Sequence, residues 1–189
     1  MMSTASSYLS ELTRLLSAME ISDLAAENLS LDQGGGVALD LIRETKMAKA
    51  KAVVVGNGGS AAIASHMQND LCKAVKMRSI VFTEQSLLTA LANDDGYQTA
   101  YETLMNLWAD AQDLLIAISS SGRSENILRC AGAARKAGCR IITLSGFAPD
   151  NPLRSLGDVN FYVRSDSYGH VELAHAALSQ FLTDALKDE

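Results

Sequence analysis

The chain is short of proline, cysteine and positive charge. Only 2 prolines stand against 13 glycines in 189 residues, so glycine is placed here rather than scattered. The three cysteines, Cys72, Cys130 and Cys139, lie far apart and form no CxxC pair or zinc-ribbon spacing. That excludes a disulfide framework and points to a reducing compartment, with the thiols expected to be structural. Lys and Arg total 16 against 22 acidic residues, for a net charge of -6 and a pI near 5.0. No basic run exists, so non-specific binding to nucleic acid is excluded and no direct nucleic-acid partner is expected. No stretch approaches the roughly 18 apolar residues needed to span a bilayer, and no membrane role is expected. The opening MMSTASSYLSELTRLL lacks a basic segment followed by an apolar core, so it does not read as a signal peptide. The expected location is the cytoplasm.

What is present suits a folded enzyme-sized domain. Hydrophobic residues make up 48% and charged residues 20%, which excludes global disorder. A mass of 20.1 kDa accommodates one compact domain with an appendage.

The first 50 residues read as helix. Tyr8, Leu9, Leu12, Leu15, Leu16 and Met19 recur at helical spacing. A break is expected around Asp32-Gln33-Gly34-Gly35-Gly36, followed by a second helix from Val37 to Lys49. These helices either pack on another subunit or cover their own core. From Ala52 the texture changes to short, β-branched, continuously apolar runs: 52–55, 79–82, 113–118, 140–144 and 159–163. Such runs suit strands buried on both faces of a parallel sheet. Helix-compatible stretches at 60–73, 124–137 and 168–187 follow them, which indicates an α/β sheet with right-handed crossovers. There is no fixed-length repeat and no low-complexity tract.

Two polar loops stand out. Gly56-Asn57-Gly58-Gly59-Ser60 and Ser119-Ser120-Ser121-Gly122-Arg123-Ser124 each follow a strand and precede a helix. Ligands of open α/β sheets bind beyond the carboxyl ends of the strands. There a helix N-terminus offers free N–H groups to an anion, and serine hydroxyls add donors without charge. Neither loop matches GxxxxGK[ST] or GxGxxG, so no nucleotide cofactor is expected. Four hydroxyls close together suit one terminal phosphate. The same serines also read as ordinary turns and helix caps. Arg123 either adds charge to a phosphate or is solvated.

Together GNGGSAAIASH, ANDDGY, AISSSGRSEN and YGHVELAH resemble the sugar isomerase (SIS) domain family, and within it the phosphoheptose isomerases and their near relatives. The resemblance runs from about Lys51 to Leu186. It implies a three-layer sandwich with a five-stranded parallel sheet between helices. Residues 1–50 would then be an N-terminal helical extension serving oligomerisation, and 51–189 the SIS domain. The resemblance also implies a homotetramer with active sites at subunit interfaces and a phosphorylated sugar as ligand. By it, Asn57, Gly58, Gly59, Ser60, Asn93, Asp94, Ser119, Ser120, Ser121 and Ser124 bind substrate. The serines would hold the phosphate, while Asn57, Asn93 and Asp94 would reach hydroxyls. Ahead of Gly96, Asn93 and Asp94 also read as a plain turn.

Aldose–ketose isomerisation moves a proton between neighbouring carbons through an enediol and needs an acid–base pair. The resemblance places these groups on two helices. His66 and Asp70, four apart, share one face. Glu172, His175 and Gln180 lie on the last helix. The family pattern has Glu at 70, Gln at 172 and His at 180, so this chain keeps His66 and His175 and departs at the other three. Asp70 retains a carboxylate with about 1.3 Å less reach. Gln180 cannot exchange a proton near neutral pH, while Glu172 restores a titratable group. A slipped register would instead put His175 in the final His role, with Ser167 for Gln. Asp70, Glu172, His66 and His175 are therefore the catalytic candidates, with His170 a further possible participant. His66, Asp70, Glu172 and Gln180 are the ligand set for zinc or another divalent metal. His66 also reads as a helix-cap or core histidine. Trp108 and the seven methionines read as core or interface packing. The expected activity is isomerisation of a sugar phosphate such as sedoheptulose 7-phosphate. The alternatives are a non-catalytic phosphosugar-binding regulator or replication-initiator partner, and an isomerase or lyase of another phosphosugar.

Overall fold

The fold was analysed in a computed structural model, which describes residues 4–187. Residues 1–3 and 188–189, which the expected domain boundaries include, lie outside the described residues. The elements follow in the order α1 (Ala5–Ser17), β1 (Glu20–Asp23), β2 (Asn28–Leu29), α2 (Leu31–Met47), β3 (Lys51–Val55), α3 (Gly59–Lys73), β4 (Arg78–Val81) and α4 (Gln85–Leu91). A π-helical turn over Ala92–Gly96 then leads into α5 (Tyr97–Trp108), β5 (Leu114–Ser119), α6 (Glu125–Lys136) and β6 (Arg140–Gly146). A 3-10 turn over Pro152–Ser155, β7 (Val159–Val163) and α7 (Tyr168–Asp184) complete the chain.

The sheet has seven strands in the order β2-β1-β7-β6-β5-β3-β4. The five strands from β3 to β7 run parallel, as their continuous apolar runs require. Every residue of β3, β5 and β7 is buried. Alternate side chains serve opposite faces. Val54, Ile116, Ile142 and Phe161 pack with α1, α2, α3 and α7, whereas Val53, Leu115 and Ile141 pack with α5 and α6.

The first 50 residues are not all helix. Glu20–Asp23 and Asn28–Leu29 form a hairpin that adds antiparallel to the β7 edge. The Asp23 carboxylate closes its turn by accepting from the amides of Ala25 and Glu27, each at 2.9 Å. Nor does the glycine triplet break the second helix. α2 starts at a capping box between Ser30 and Gln33 and runs through Gly34, Gly35 and Gly36. Gly34 and Gly35 serve close packing. A Cβ on Gly34 would fall 2.4 Å from Ile21 Cγ2, and one on Gly35 would fall 3.4 Å from the Phe181 ring. Leu15, Ile21, Leu41 and Ile42 join the main core, so the leading segment is built into the same body as the sheet.

The amino-terminal end of the sheet is tied by a buried ion pair. Asp113, 1% exposed, accepts from the Lys51 amide at 2.9 Å, from Lys51 Nζ at 2.5 Å and from the Asp110 amide at 2.8 Å. Removing Asp113 leaves Lys51 Nζ with only the exposed Asp110 carboxylate, at 2.8 Å, and leaves the Lys51 and Asp110 amides without their acceptor. Asp113→Leu is expected to lower the unfolding free energy by about 3 kcal/mol, measured by urea denaturation.

Candidate active site

Strands β3 and β5 are neighbours, with Val55 opposite Ala117. The chain leaves them in opposite directions, to α3 on one face of the sheet and to α6 on the other. A crevice opens where such paths diverge. Into it project Asn57-Gly58-Gly59-Ser60 and Ser119-Ser120-Ser121 with Ser124, joined by Tyr168 and Glu172 from the start of α7. They line a cavity of about 220 Å³. The two serine- and glycine-rich loops are thus brought together.

Three helices begin at this cavity, and none is capped by its own side chain. α3 starts from Gly58, α6 from Ser124 and α7 from Ser167, in each case with no side-chain cap bond. By contrast α1 and α2 carry capping boxes, and the Glu84 carboxylate caps α4. Free amides at the cavity are donors for an anion. Hydroxyls supplement them. Ser119 Oγ donates to Ser124 Oγ at 3.3 Å, while Ser120 Oγ is buried with no protein partner among the described residues. The lining carries no Lys, Arg or His. Arg123 turns away to an exposed pair with Asp150 at 2.8 Å.

The cradle is braced by residues that sequence reasoning missed. Gly122 has a φ of 61°, and a Cβ there would meet Asn151 Oδ1 at 1.9 Å. Asn151, 3% exposed, bonds the Gly146 carbonyl at 3.1 Å and that of Ala148 at 2.9 Å, fixing the segment against which the serine turn packs. Asn57 exchanges two amide bonds with Asn126, each 2.9 Å, and also accepts from the Tyr97 hydroxyl at 2.7 Å. Asn93 and Asp94 do not line this cavity. They sit exposed in the π-helical turn, bonded to each other at 2.8 Å. The ANDDGY segment reaches the first loop through Tyr97 instead. π-turns recur at functional sites, but nothing in the local sequence announces this one.

A second cavity of about 230 Å³ is lined by residues of α3 and α7. His66, Asp70, Ser179 and Gln180 line it. His66 Nε2 stands 3.5 Å from Asp70 Oδ2, with the imidazole exposed and the carboxylate half-buried. Glu172 is not in this group. Its carboxylate sits over the start of α3, where a Cβ on Gly59 would lie 2.4 Å from both oxygens. A zinc ion held by His66, Asp70, Glu172 and Gln180 does not fit this arrangement. Among the described residues no three His, Cys, Asp or Glu side chains gather to hold a metal, and the cavity with His66 offers one imidazole, one carboxylate and one amide.

His175 lies in neither cavity. It is fully buried, and its Nε2–H donates to the Ser145 carbonyl at 3.1 Å. A carbonyl only accepts, so the proton sits on Nε2 and Nδ1 is left unpartnered among the described residues. Burial pulls its pKa from 6.5 down to about 4, against the opposing effect of that bond. His170 stacks on Tyr8 at 4.1 Å and bonds its carbonyl at 3.2 Å, tying α7 to α1. Cys130 and Cys139 are buried, and burial pushes the Cys139 thiol up to about 11. Cys72 is exposed. Trp108, 55% exposed, is not a core residue.

The family model described as "SIS domain" matches residues 7–146. The chain belongs to the SIS-domain family. A protein named phosphoheptose isomerase from Syntrophotalea carbinolica is 34% identical over 145 residues, which is 74% of each chain. Structures of phosphoheptose isomerases from Neisseria gonorrhoeae and Francisella tularensis superpose with TM-scores of 0.83. Their sequence identities are 24% and 22%, covering 96% and 97% of this chain and 96% of each of those. This SIS domain therefore has the mostly parallel sheet flanked by helices that its sequence led one to expect. It carries the added antiparallel hairpin at one edge.

Because His175 is buried neutral, the unfolded chain takes up its proton first. Stability is full above pH 6.5 and is lost as pH falls towards 4. Between pH 7 and pH 5 the His175 contribution is about 2 kcal/mol. Urea titrations at the two pH values are expected to show that drop, and His175→Gln to flatten it.

Proposed function

We propose that the protein is a phosphosugar isomerase, interconverting the ketose and aldose forms of a sugar phosphate of the sedoheptulose 7-phosphate class. The supporting observation is that the anion cradle and the His66–Asp70 pair lie in two cavities that are both lined by residues of α3 and α7. The phosphate is held by Ser119, Ser120, Ser121 and Ser124, with the amides that open α3 and α6. Asp70 takes the proton from the carbon beside the carbonyl and returns it to the neighbouring carbon. His66 moves the hydroxyl proton between the two oxygens of the enediol. Gln180 takes no part in proton transfer but can donate an amide bond to the developing oxyanion.

Spacing along α3 puts His66 within the ligand's reach, and the Asp70 carboxylate comes to the same place through its side chain, 3.5 Å from His66 Nε2. His66 lies seven residues after Gly59 and Asp70 eleven, about 10 and 16 Å along the axis. An extended phosphosugar of six or seven carbons spans roughly the first of these distances. Glu172, the other carboxylate expected to take the proton, lines the cavity of the serine loops instead. The His66–Asp70 pair disfavours a non-catalytic regulator. Leu9, Leu107, Trp108, Leu173 and Phe181 are exposed apolar residues, which supports assembly of the leading helices, α5 and α7 into a homotetramer in the cytoplasm.

Incubation with sedoheptulose 7-phosphate should yield an aldose phosphate. Asp70→Asn is expected to lower kcat by about a hundredfold or more, and Ser124→Ala to raise KM with a smaller effect on kcat. A well-folded protein that forms no product would contradict the proposal.

A further inference from the structure

His175 takes no part in the proton transfers, yet it is a costly residue to bury. It sits on the face of α7 that also buries Val171, Ala174, Leu178 and Leu182. An apolar side chain there would lose no hydration, whereas an imidazole gives it up at both ring nitrogens. Only Nε2 finds a partner, the Ser145 carbonyl, and Nδ1 has none among the described residues. A buried polar group left half-satisfied calls for a reason, and the one bond it makes supplies it. Burial keeps the ring neutral down to about pH 4, so Nε2 remains the donor in that bond.

Ser145 lies at the end of β6, in register with Ser119 of the serine loop. From it, four successive carbonyls each accept from a side chain. His175 bonds that of Ser145, Asn151 those of Gly146 and Ala148, and the Tyr162 hydroxyl that of Phe147 at 2.7 Å. Phe147 has a φ of 59°, which a bulky residue holds only where its surroundings fix it. Of the three donors, Asn151 is close in the chain and Tyr162 belongs to the neighbouring strand. His175 is the one that reaches the segment from α7. Gly146 then passes this rigidity to the cradle. A Cβ on it would meet Val171 Cγ1 at 2.7 Å and the Ser120 carbonyl at 3.1 Å, so its backbone is pressed between α7 and the serine loop. The Ser120 hydroxyl makes no bond to protein among the described residues. Its direction is therefore set by the placement of its backbone, which rests on Gly146.

We propose that His175 is a positioning residue for the phosphate cradle. Its bond to Ser145 sets the register of α7 against the end of β6 and, through Gly146, fixes where Ser120 points. It moves no proton and touches no ligand. This inference rests on the reading of the serine loops as the phosphate cradle.

The test is calorimetric titration of inorganic phosphate, with kinetics on sedoheptulose 7-phosphate, in wild-type protein, His175→Gln, His175→Asn and His175→Leu. A Gln amide nitrogen falls near the place of Nε2, whereas the shorter Asn amide stops short of Ser145. His175→Gln should keep phosphate affinity within about threefold. His175→Asn and His175→Leu should each weaken it by about tenfold. Both should raise KM by a similar factor and hold kcat within about threefold, the mark of lost uniform binding. Urea denaturation gives the folded fraction of each variant, and the affinity is referred to folded protein. Gly146→Ala, which presses a methyl against Ser120 with His175 intact, should weaken phosphate as well. A His175 that served stability alone would leave the phosphate affinity of folded His175→Asn unchanged, and that result overturns the inference. So does unchanged affinity in Gly146→Ala, or a collapse of kcat at constant KM in His175→Gln, which would return the ring to proton transfer. Failure of wild-type protein to bind inorganic phosphate sinks the cradle and this inference together. Phosphate binding without turnover removes the isomerase reading and leaves this one to be decided by the titrations.

Discussion

The site depends on three helix N-termini without side-chain caps meeting at one place. A helix start exposes amides that must find acceptors. α1, α2 and α4 satisfy theirs with Thr4, Ser30 and Glu84. α3, α6 and α7 lack such caps and share a cavity at the carboxyl ends of the strands. An acidic protein of net charge -6 can in this way hold an anion without a cation in the lining. The donors are backbone dipoles fixed by the fold, and they need no reorganisation when the ligand arrives.

The rest of the architecture serves that convergence. The opposite departures of the chain from β3 and β5 make the crevice, and the two cores on either side of the sheet hold α3 and α6 where their first turns meet it. Small polar ties keep the loops in place. Asn126 and Tyr97 hold Asn57, and Asn151 holds the Gly122 turn. α7 then lays the Glu172 carboxylate at the cavity of the serine loops, while α3 carries His66 and Asp70 to the second cavity. Glu172 and Asp70 thus stand in different cavities, and the proposed mechanism assigns their roles by that placement rather than by residue type.

Much of this was legible in the sequence. The parallel strands announce themselves as continuous apolar runs, because burial on both faces leaves no room for polar alternation. The two loops declare themselves by glycine and serine placed between strand and helix. What was hidden depends on long-range contact. The hairpin at 20–29 presents a single buried residue, Ile21, too little for a local pattern. The triplet at 34–36 reads as a helix break until Ile21 and Phe181 are seen against it. Asn93 and Asp94 lie exposed in the π-helical turn, and the contact of that segment with the first loop is made by Tyr97, a long-range bond that no local pattern announces. Nothing local marks Asn151 as the brace of a turn almost thirty residues earlier.

A crystal structure of the protein with sedoheptulose 7-phosphate bound tests the account most directly. The phosphorus should sit among Ser119, Ser120, Ser121 and Ser124 and the amides opening α3 and α6, with the carbon chain running between α3 and α7 towards His66. A phosphate seated elsewhere, such as the cavity between the β1–β2 hairpin and residues 149–155, would contradict it.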